Sequence, residues 1–183
     1  MRYAVLFLCA CISACASRPT VRSDRDPHAD LAAYATFAFF EPLTTDGRGY
    51  STLLSARLRA AVRRELAKRG YRYDESSPDL LVNFNVNVRE RQELRSMPRY
   101  SYFGYRNGLY EVWPGYPYDF YTVSYDEGTL TIDLVDAARK QLVWQGMATG
   151  RITDKVLQNP DRAIDQAVAE IFAQYPVSAG TER

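Results

Sequence analysis

The chain has 183 residues, with 23 lysines and arginines against 22 aspartates and glutamates. Its length suits a single domain with a sizeable core, and its near-neutral charge argues against nucleic-acid binding, which needs a basic surface. All three cysteines lie at or before position 15, so the rest of the chain has no thiol for catalysis, disulfides or zinc. We therefore predict no cofactor and no metal site.

The first fourteen residues are predicted to be a secretory signal peptide. Arg2 gives a positive start, and residues 3–12 form an apolar run too short to span a bilayer. The sequence Ile-Ser-Ala-Cys at 12–15 resembles the lipobox of bacterial lipoproteins. The resemblance implies cleavage before Cys15 and acyl chains on its sulfur and new amino group. The alternative is an ordinary signal peptide with an incidental cysteine.

Location follows from the same segment. Several acyl chains hold a protein firmly to a membrane. The membrane, bound through acyl chains on Cys15, is therefore a predicted partner. In enterobacterial lipoproteins an aspartate after the lipidated cysteine retains the protein in the inner membrane. Ala16 stands at that position here. We therefore expect outer-membrane delivery, with the protein lipid-anchored on the periplasmic side.

The rest of the chain divides into three parts. Residues 15–23 are predicted to be the lipidated cysteine and a polar tether, of which residues 16–23 reach at most about 28 Å. Residues 24–176 are predicted to form one domain, and residues 177–183 a frayed tail.

The amino-terminal half of the domain has three clear signals. The apolar and aromatic residues 35–40 predict a strand. Ser51 can cap a helix that runs to about residue 69 and ends at Gly70. Residues 80–88 alternate between apolar side chains and asparagines, which is typical of an antiparallel strand with one buried face.

The carboxyl-terminal half predicts a hairpin and a second helix. Residues 129–136 and 141–149 form the hairpin, with the turn at 137–140. Asn159 can cap a helix that has Pro160 at its first position. These elements predict an α+β fold of two layers, a mostly antiparallel sheet with two amphipathic helices on one face.

Several sequence blocks resemble a known family. The blocks are Asp-Arg-Asp-Pro at 24–27, Pro-Asp-Leu-Leu-Val at 78–82, Tyr-Asp-Glu-Gly-Thr-Leu-Thr-Ile-Asp-Leu-Val-Asp at 125–136 and Leu-Val-Trp-Gln-Gly at 142–146. Together they are similar to a bacterial envelope lipoprotein family of the domain-of-unknown-function 4136 type, over about residues 20–176. The resemblance implies an α+β envelope lipoprotein and offers no catalytic residue.

An aromatic segment at residues 99–125 is richer in tyrosine than that family, and it overlaps a predicted Tyr-rich insertion at 95–121. Tyrosine and tryptophan suit sugar rings, peptides and lipid headgroups. The alternative is a self-packed loop that covers the sheet. The candidate binding residues are Tyr100, Tyr102, Tyr105, Tyr110, Trp113, Tyr116 and Tyr118.

Two charged clusters have structural and functional interpretations. The basic first helix either contacts anionic headgroups or is a solvated face, and the solvated face is favoured. The acidic cluster has two interpretations: its carboxylates serve acid–base chemistry, or they belong to turns and polar faces. The structural interpretation is favoured here too. The cluster comprises Asp126, Glu127, Asp133 and Asp136. His28, the single histidine, is predicted to be an exposed loop residue.

We therefore predict a non-enzymatic interaction or structural module that has an envelope protein partner and no catalytic residues. The alternative is a ligand-binding module that uses residues 99–125 for a glycan, peptide or lipid. A carboxylate hydrolase is a distant third prediction.

Overall fold

The computed structural model describes residues 19–47, 49–98 and 118–179. Within these ranges the chain forms a six-stranded sheet and three α-helices. The strands are β1 (Thr20–Arg25), β2 (Thr36–Phe39), β3 (Arg72–Tyr73), β4 (Leu80–Pro98), β5 (Tyr118–Asp136) and β6 (Gln141–Arg151). The helices are α1 (Leu53–Lys68), α2 (Asp154–Gln158) and α3 (Pro160–Phe172).

The sheet is mixed but mostly antiparallel. Its strand order is β1-β6-β5-β4-β2-β3. The pairs β1–β6, β6–β5 and β5–β4 are antiparallel, whereas β2 is parallel to both β3 and β4. Parallel neighbours need a crossover connection, and α1 supplies it between β2 and β3. The predicted α+β class and the predicted hairpin turn at 137–140 are confirmed, and the parallel pairs are an addition.

Strands β4 and β5 are much longer than predicted. β4 continues ten residues past the predicted end at 88, and β5 begins eleven residues before the predicted start at 129. Within the predicted insertion at 95–121, residues 95–98 and 118–121 are strand. Residues 99–117 lie outside the described residues. The extensions were missed because both of their faces are exposed, which removes the alternation that marks a half-buried strand.

The predicted tether and the predicted tail each give up residues to the folded domain. Thr20 to Ser23, predicted as tether, belong to β1 and pair with β6, so only residues 16–19 separate Cys15 from the sheet. In the predicted tail, Val177 packs against the core and the Ala179 N–H donates to the Arg69 carbonyl at 2.8 Å. The predicted tail is therefore wrong for residues 177–179.

Helix α1 ends as predicted but begins one residue later. The cap is Thr52 rather than Ser51, and its Oγ1 accepts a hydrogen bond from the Ser55 N–H at 3.1 Å. Gly70 has a positive φ of 85° and terminates the helix, as its lack of a Cβ allows. In α3, Pro160 takes the first position as predicted, whereas the Asn159 side chain makes no capping hydrogen bond.

The core is one cluster of buried side chains from the sheet and from helices α1 and α3. Trp144 on β6 stacks on Phe172 of α3 at 5.7 Å and meets Tyr175 edge-on at 5.1 Å, between ring centroids. The backbone of Gly146 lies close to Ile171 and to the Trp144 ring. The other fully buried side chains include Phe37, Leu58, Val62, Leu66, Leu80, Val82, Phe84, Ile132, Leu134 and Val168.

A buried polar cluster closes the end of the sheet near the β5–β6 turn. The Asp136 carboxylate accepts hydrogen bonds from the Tyr34 hydroxyl at 2.9 Å, the Arg139 backbone N–H at 2.7 Å and Arg139 Nε at 2.8 Å. The Arg139 N–H, with its guanidinium and the Tyr34 hydroxyl, lowers the pKa of Asp136 to about 2, although burial opposes the shift. Nearby, Asp79 accepts from two backbone N–H groups, those of Ala35 and Thr36.

We predict that Gly146→Ala destabilises the domain by about 1–3 kcal/mol, because an added methyl group overpacks a filled core. A Cβ at this position would lie 2.4 Å from Ile171 Cγ2 and 2.4 Å from Trp144 Cη2. Urea unfolding followed by circular dichroism measures the change. The matched control is Gly150→Ala, where the nearest atom is Pro19 Cβ at 3.4 Å. Equal stability of the two variants would contradict the packing described.

We predict that the native state loses about 2 kcal/mol as the pH falls from about 4 to about 2, because Asp136 must then be protonated. Its pKa is lower in the folded chain, so its contribution is present above pH 4 and disappears through the folded pKa. Stability measured against pH should be flatter in Asp136→Asn. Tyr34→Phe keeps the carboxylate and Arg139, so it should keep most of the acid dependence. A pH profile unchanged in Asp136→Asn would refute this assignment.

Candidate interaction surface

The most distinctive surface is a two-stranded extension of β4 and β5, which we call the ribbon. It comprises residues 89–98 and 118–126. Arg89 is level with the last β5–β6 pair, Glu127 with Arg151, and the other ribbon residues lie beyond that pair. In the part of the chain that the structure describes, no third strand pairs with them. At about 3.3 Å per residue, the nine β4 residues past that pair project about 30 Å beyond the sheet.

The register shows which ribbon side chains share a face. Residues directly opposite each other in an antiparallel pair point to the same side. The buried pair Phe84 and Ile132 marks the core side, and counting in twos places Leu94, Tyr118 and Phe120 on that side. Met97 and Tyr121 lie on the opposite side.

These five side chains form what we call the apolar tip, the outer part of the ribbon. Leu94 is 68% exposed and Phe120 is 67% exposed; Met97, Tyr118 and Tyr121 are also exposed. Leu94 and Phe120 are diagonal neighbours across the two strands, so their side chains can touch. These exposed apolar side chains make the tip a candidate interaction surface, since burying each would gain about 1.5–3 kcal/mol.

The inner part of the ribbon has a polar face that is already paired. The Arg151 guanidinium stacks over the Tyr125 ring at 3.6 Å from the centroid, and Arg91 Nε bonds Glu127 Oε1 at 2.9 Å. Arg95 Nη2 bonds Glu93 Oε2 at 3.2 Å, and this bond raises the pKa of Arg95. Each exposed pair contributes little to stability. The Arg151–Tyr125 stack joins the base of the ribbon to β6.

Of the predicted binding residues, the structure places only Tyr118. It opens β5, pairs with Pro98 and lies within the apolar tip. Tyr100, Tyr102, Tyr105, Tyr110, Trp113 and Tyr116 lie outside the described residues, as does Cys15. Sequence reasoning missed Leu94 and Met97, because isolated apolar residues in a charged stretch give no periodic signal.

The structure does not bring the four predicted acidic residues together. Asp126 and Asp136 lie ten residues apart on one strand, which is about 33 Å. Glu127 is paired with Arg91, and Asp133 accepts from Gln145 Nε2 at 2.7 Å. Among the described residues, no group of three or more histidine, cysteine or acidic side chains could hold a metal ion. His28 is exposed in a loop, as predicted.

The basic side chains of α1 have nearby partners. Arg57 pairs with Asp161 and Arg64 with Asp165, both on α3. Arg59 pairs with Glu41. Lys68 and Arg69 both pair with Glu65. The Arg63 guanidinium stacks on the Tyr73 ring at 4.0 Å. This pairing favours the structural interpretation of the basic helix over headgroup binding.

A shallow groove between α1 and α3 is a second concave surface. Its volume is about 330 Å³, and it is lined by Ala61, Arg64, Glu65, Lys68, Arg162, Asp165, Gln166 and Ala169. Glu65 holds both Lys68 and Arg69, which lower its pKa although burial acts in the opposite direction. Within the described ranges, none of the helices is long and apolar enough to cross a membrane.

Comparison with solved structures shows the fold and little more. A PDZ domain protein from Parabacteroides distasonis matches with a TM-score of 0.56 and 16% identity, over 91% of this chain. This chain spans 37% of that protein's length. Two dodecamer structures of PelC from Paraburkholderia phytofirmans also match. The first covers 89% of this chain and 99% of its own chain, with 12% identity and a TM-score of 0.47. The second covers 85% of this chain and 95% of its own chain, with 10% identity and a TM-score of 0.43.

The sequence itself establishes the family. No curated protein matches the chain significantly. Residues 21–177, nearly the whole described part, match the family described as "Domain of unknown function (DUF4136)". This match confirms the predicted resemblance, whereas the lipoprotein character stays a prediction. The chain belongs to the DUF4136 family.

Proposed function

We propose that this chain is a lipid-anchored envelope protein on the periplasmic side of the outer membrane. It acts as a non-enzymatic interaction module, and the ribbon is its contact surface. The observation that carries the proposal is the apolar tip, which exposes large side chains at the end of a projecting, regularly paired ribbon. Folded domains gain stability by burying such groups, so their exposure favours a binding role.

The anchor part of the proposal is supported by the sequence and by the position of β1. The charged start, the apolar run and the small residues before Cys15 have the layout of a lipoprotein signal. β1 begins only five residues after Cys15. A lipid on Cys15 therefore holds the sheet close to the membrane surface.

The proposal also places α1 and α3 on the same face of the sheet. The two helices contact each other through the Arg57–Asp161 and Arg64–Asp165 pairs. The buried strand residues Val82, Phe84, Ile132 and Leu134 share one face by their register. This arrangement leaves the other face of the sheet as a polar surface rich in asparagine and threonine.

The second candidate function is binding of a glycan, peptide or lipid through residues 99–125. Tyr125 favours it, because Arg151 holds the ring in place on the polar face of the ribbon. A fixed aromatic ring beside polar groups suits a sugar or a peptide. Tyr118 and Tyr121 extend the same chemistry to the tip.

We predict that Cys15 carries the acyl chains. Cells fed an alkyne-tagged fatty acid should label the wild-type chain and leave Cys15→Ala unlabelled, because lipidation needs the cysteine sulfur. Gel fluorescence after click coupling measures the label. Equal labelling of the two chains would show that the lipid, if any, is attached elsewhere.

We predict that photo-crosslinking in living cells from Leu94 and from Phe120 gives discrete adducts with an envelope component. The control probe is Ala138, exposed in the β5–β6 turn at the opposite end of β5. Mass spectrometry identifies the adducts. No adduct at either ribbon position, or equal adducts at Ala138, would contradict the proposed contact surface. A glycan adduct from a probe at Tyr116 would instead support the second function.

A further inference from the structure

We infer that the apolar tip inserts into the interfacial region of the same membrane that carries the lipid anchor. This inference rests on the proposed anchoring at Cys15 and names the bilayer as the first partner of the ribbon. Three features of the molecule support it: where β1 begins, how far the ribbon extends and which side chains the tip exposes.

The tether and the ribbon leave the sheet at the same end. Thr20 pairs with Thr149, Thr149 pairs with Thr129, and Thr129 pairs with Asn87. The ribbon begins two residues beyond Asn87, and β1 runs away from it. The chain therefore enters β1 at the end of the sheet from which the ribbon projects. Consistently, Pro19 lies beside Gly150, at the level where the ribbon starts.

The tether is too short to hold the ribbon away from the membrane. The chain from Cys15 to Thr20 spans about 18 Å at full extension. The ribbon reaches about 30 Å beyond the sheet in the same direction. When Cys15 is fixed in the bilayer, a ribbon that points toward the surface cannot stand upright above it, so this geometry brings the ribbon against or into the lipid.

The chemistry of the tip suits an interface better than a second protein. Leu94, Tyr118 and Phe120 make one face of the tip apolar, whereas Met97 and Tyr121 on the other face lie opposite Asp119 and Arg95, so the tip is amphipathic. A ribbon with one apolar and one mixed face can lie in the headgroup layer with its apolar face toward the acyl chains. Tyrosine and other amphipathic aromatic side chains concentrate at the headgroup level of bilayers.

Charge and backbone chemistry set how the tip binds and how deep it goes. The ribbon carries three arginines and four carboxylates, so no excess of positive charge draws it to anionic lipid. Its binding should depend weakly on salt. Among the described residues no strand pairs with the outer edges of the ribbon, and unpaired backbone groups are too costly for the hydrocarbon centre. The tip therefore stays at the level of the headgroups and the first methylenes.

The experiment uses the full chain, purified with its lipid and reconstituted into vesicles of phosphatidylethanolamine and phosphatidylglycerol. Single variants Phe120→Cys and Met97→Cys report the two faces of the tip, and Ala138→Cys reports the far end of the sheet. Each takes an environment-sensitive fluorophore on the new thiol. Unfolding curves of the labelled chains check that the exposed substitutions leave the fold intact.

We expect a blue-shifted emission at positions 120 and 97. Nitroxides attached near the headgroup should quench these two labels several-fold more than nitroxides near the end of the acyl chain. Neither kind of nitroxide should quench the label at 138 as much. Adding salt should change the quenching little. Leu94→Asp should reduce quenching at position 120, because it places a charge in the tip.

Two outcomes would overturn the inference. In one, the labels at 120 and 97 are as exposed to water as the label at 138. In the other, they shift to the blue without nitroxide quenching and in proportion to protein concentration, which indicates a second copy of the chain. The wild-type chain tests the anchor separately, since acylated Cys15 cannot take the thiol reagent. Labelled wild-type protein would refute the anchor and not the tip.

Discussion

The pairing of β4 with β5 is the constraint on which the rest of the molecule depends. The two 19-residue strands keep one register from Leu80 and Asp136 to Pro98 and Tyr118. At one end this pairing brings Phe84 and Ile132 into the core, and at the other it forms the ribbon. Because the period of a strand is two, the buried end fixes which side chains share a face along the whole length.

The core that supports this pairing depends on close packing between β6 and α3. Gly146 permits Ile171 and the Trp144 ring to approach the backbone, and Tyr175 covers the ring edge. The aromatic residues therefore lie where α3 packs against β6. Asp136 secures the opposite end through Tyr34 and Arg139, so the sheet is held at its far end by hydrogen bonds as well as by apolar contact.

The half-buried elements could be predicted from the sequence, and the exposed ones could not. Residues 80–88 and 129–136 alternate because one face meets the core, and α1 has a clear apolar stripe. β1 was missed because its residues are mostly polar, with only Val21 turned toward the core. The ribbon was missed because neither face is buried, so the apolar tip emerged from strand pairing rather than from periodicity.

The place of β1 also has a mechanical consequence. Its six residues pair with β6, and it lies at the edge of the sheet. A force applied at its amino-terminal end acts along the strand axis, so it loads the β1–β6 hydrogen bonds in shear, all together. Peeling would instead break them one at a time at lower force. The first strand is thus oriented to resist a pull from the side on which the chain enters the domain.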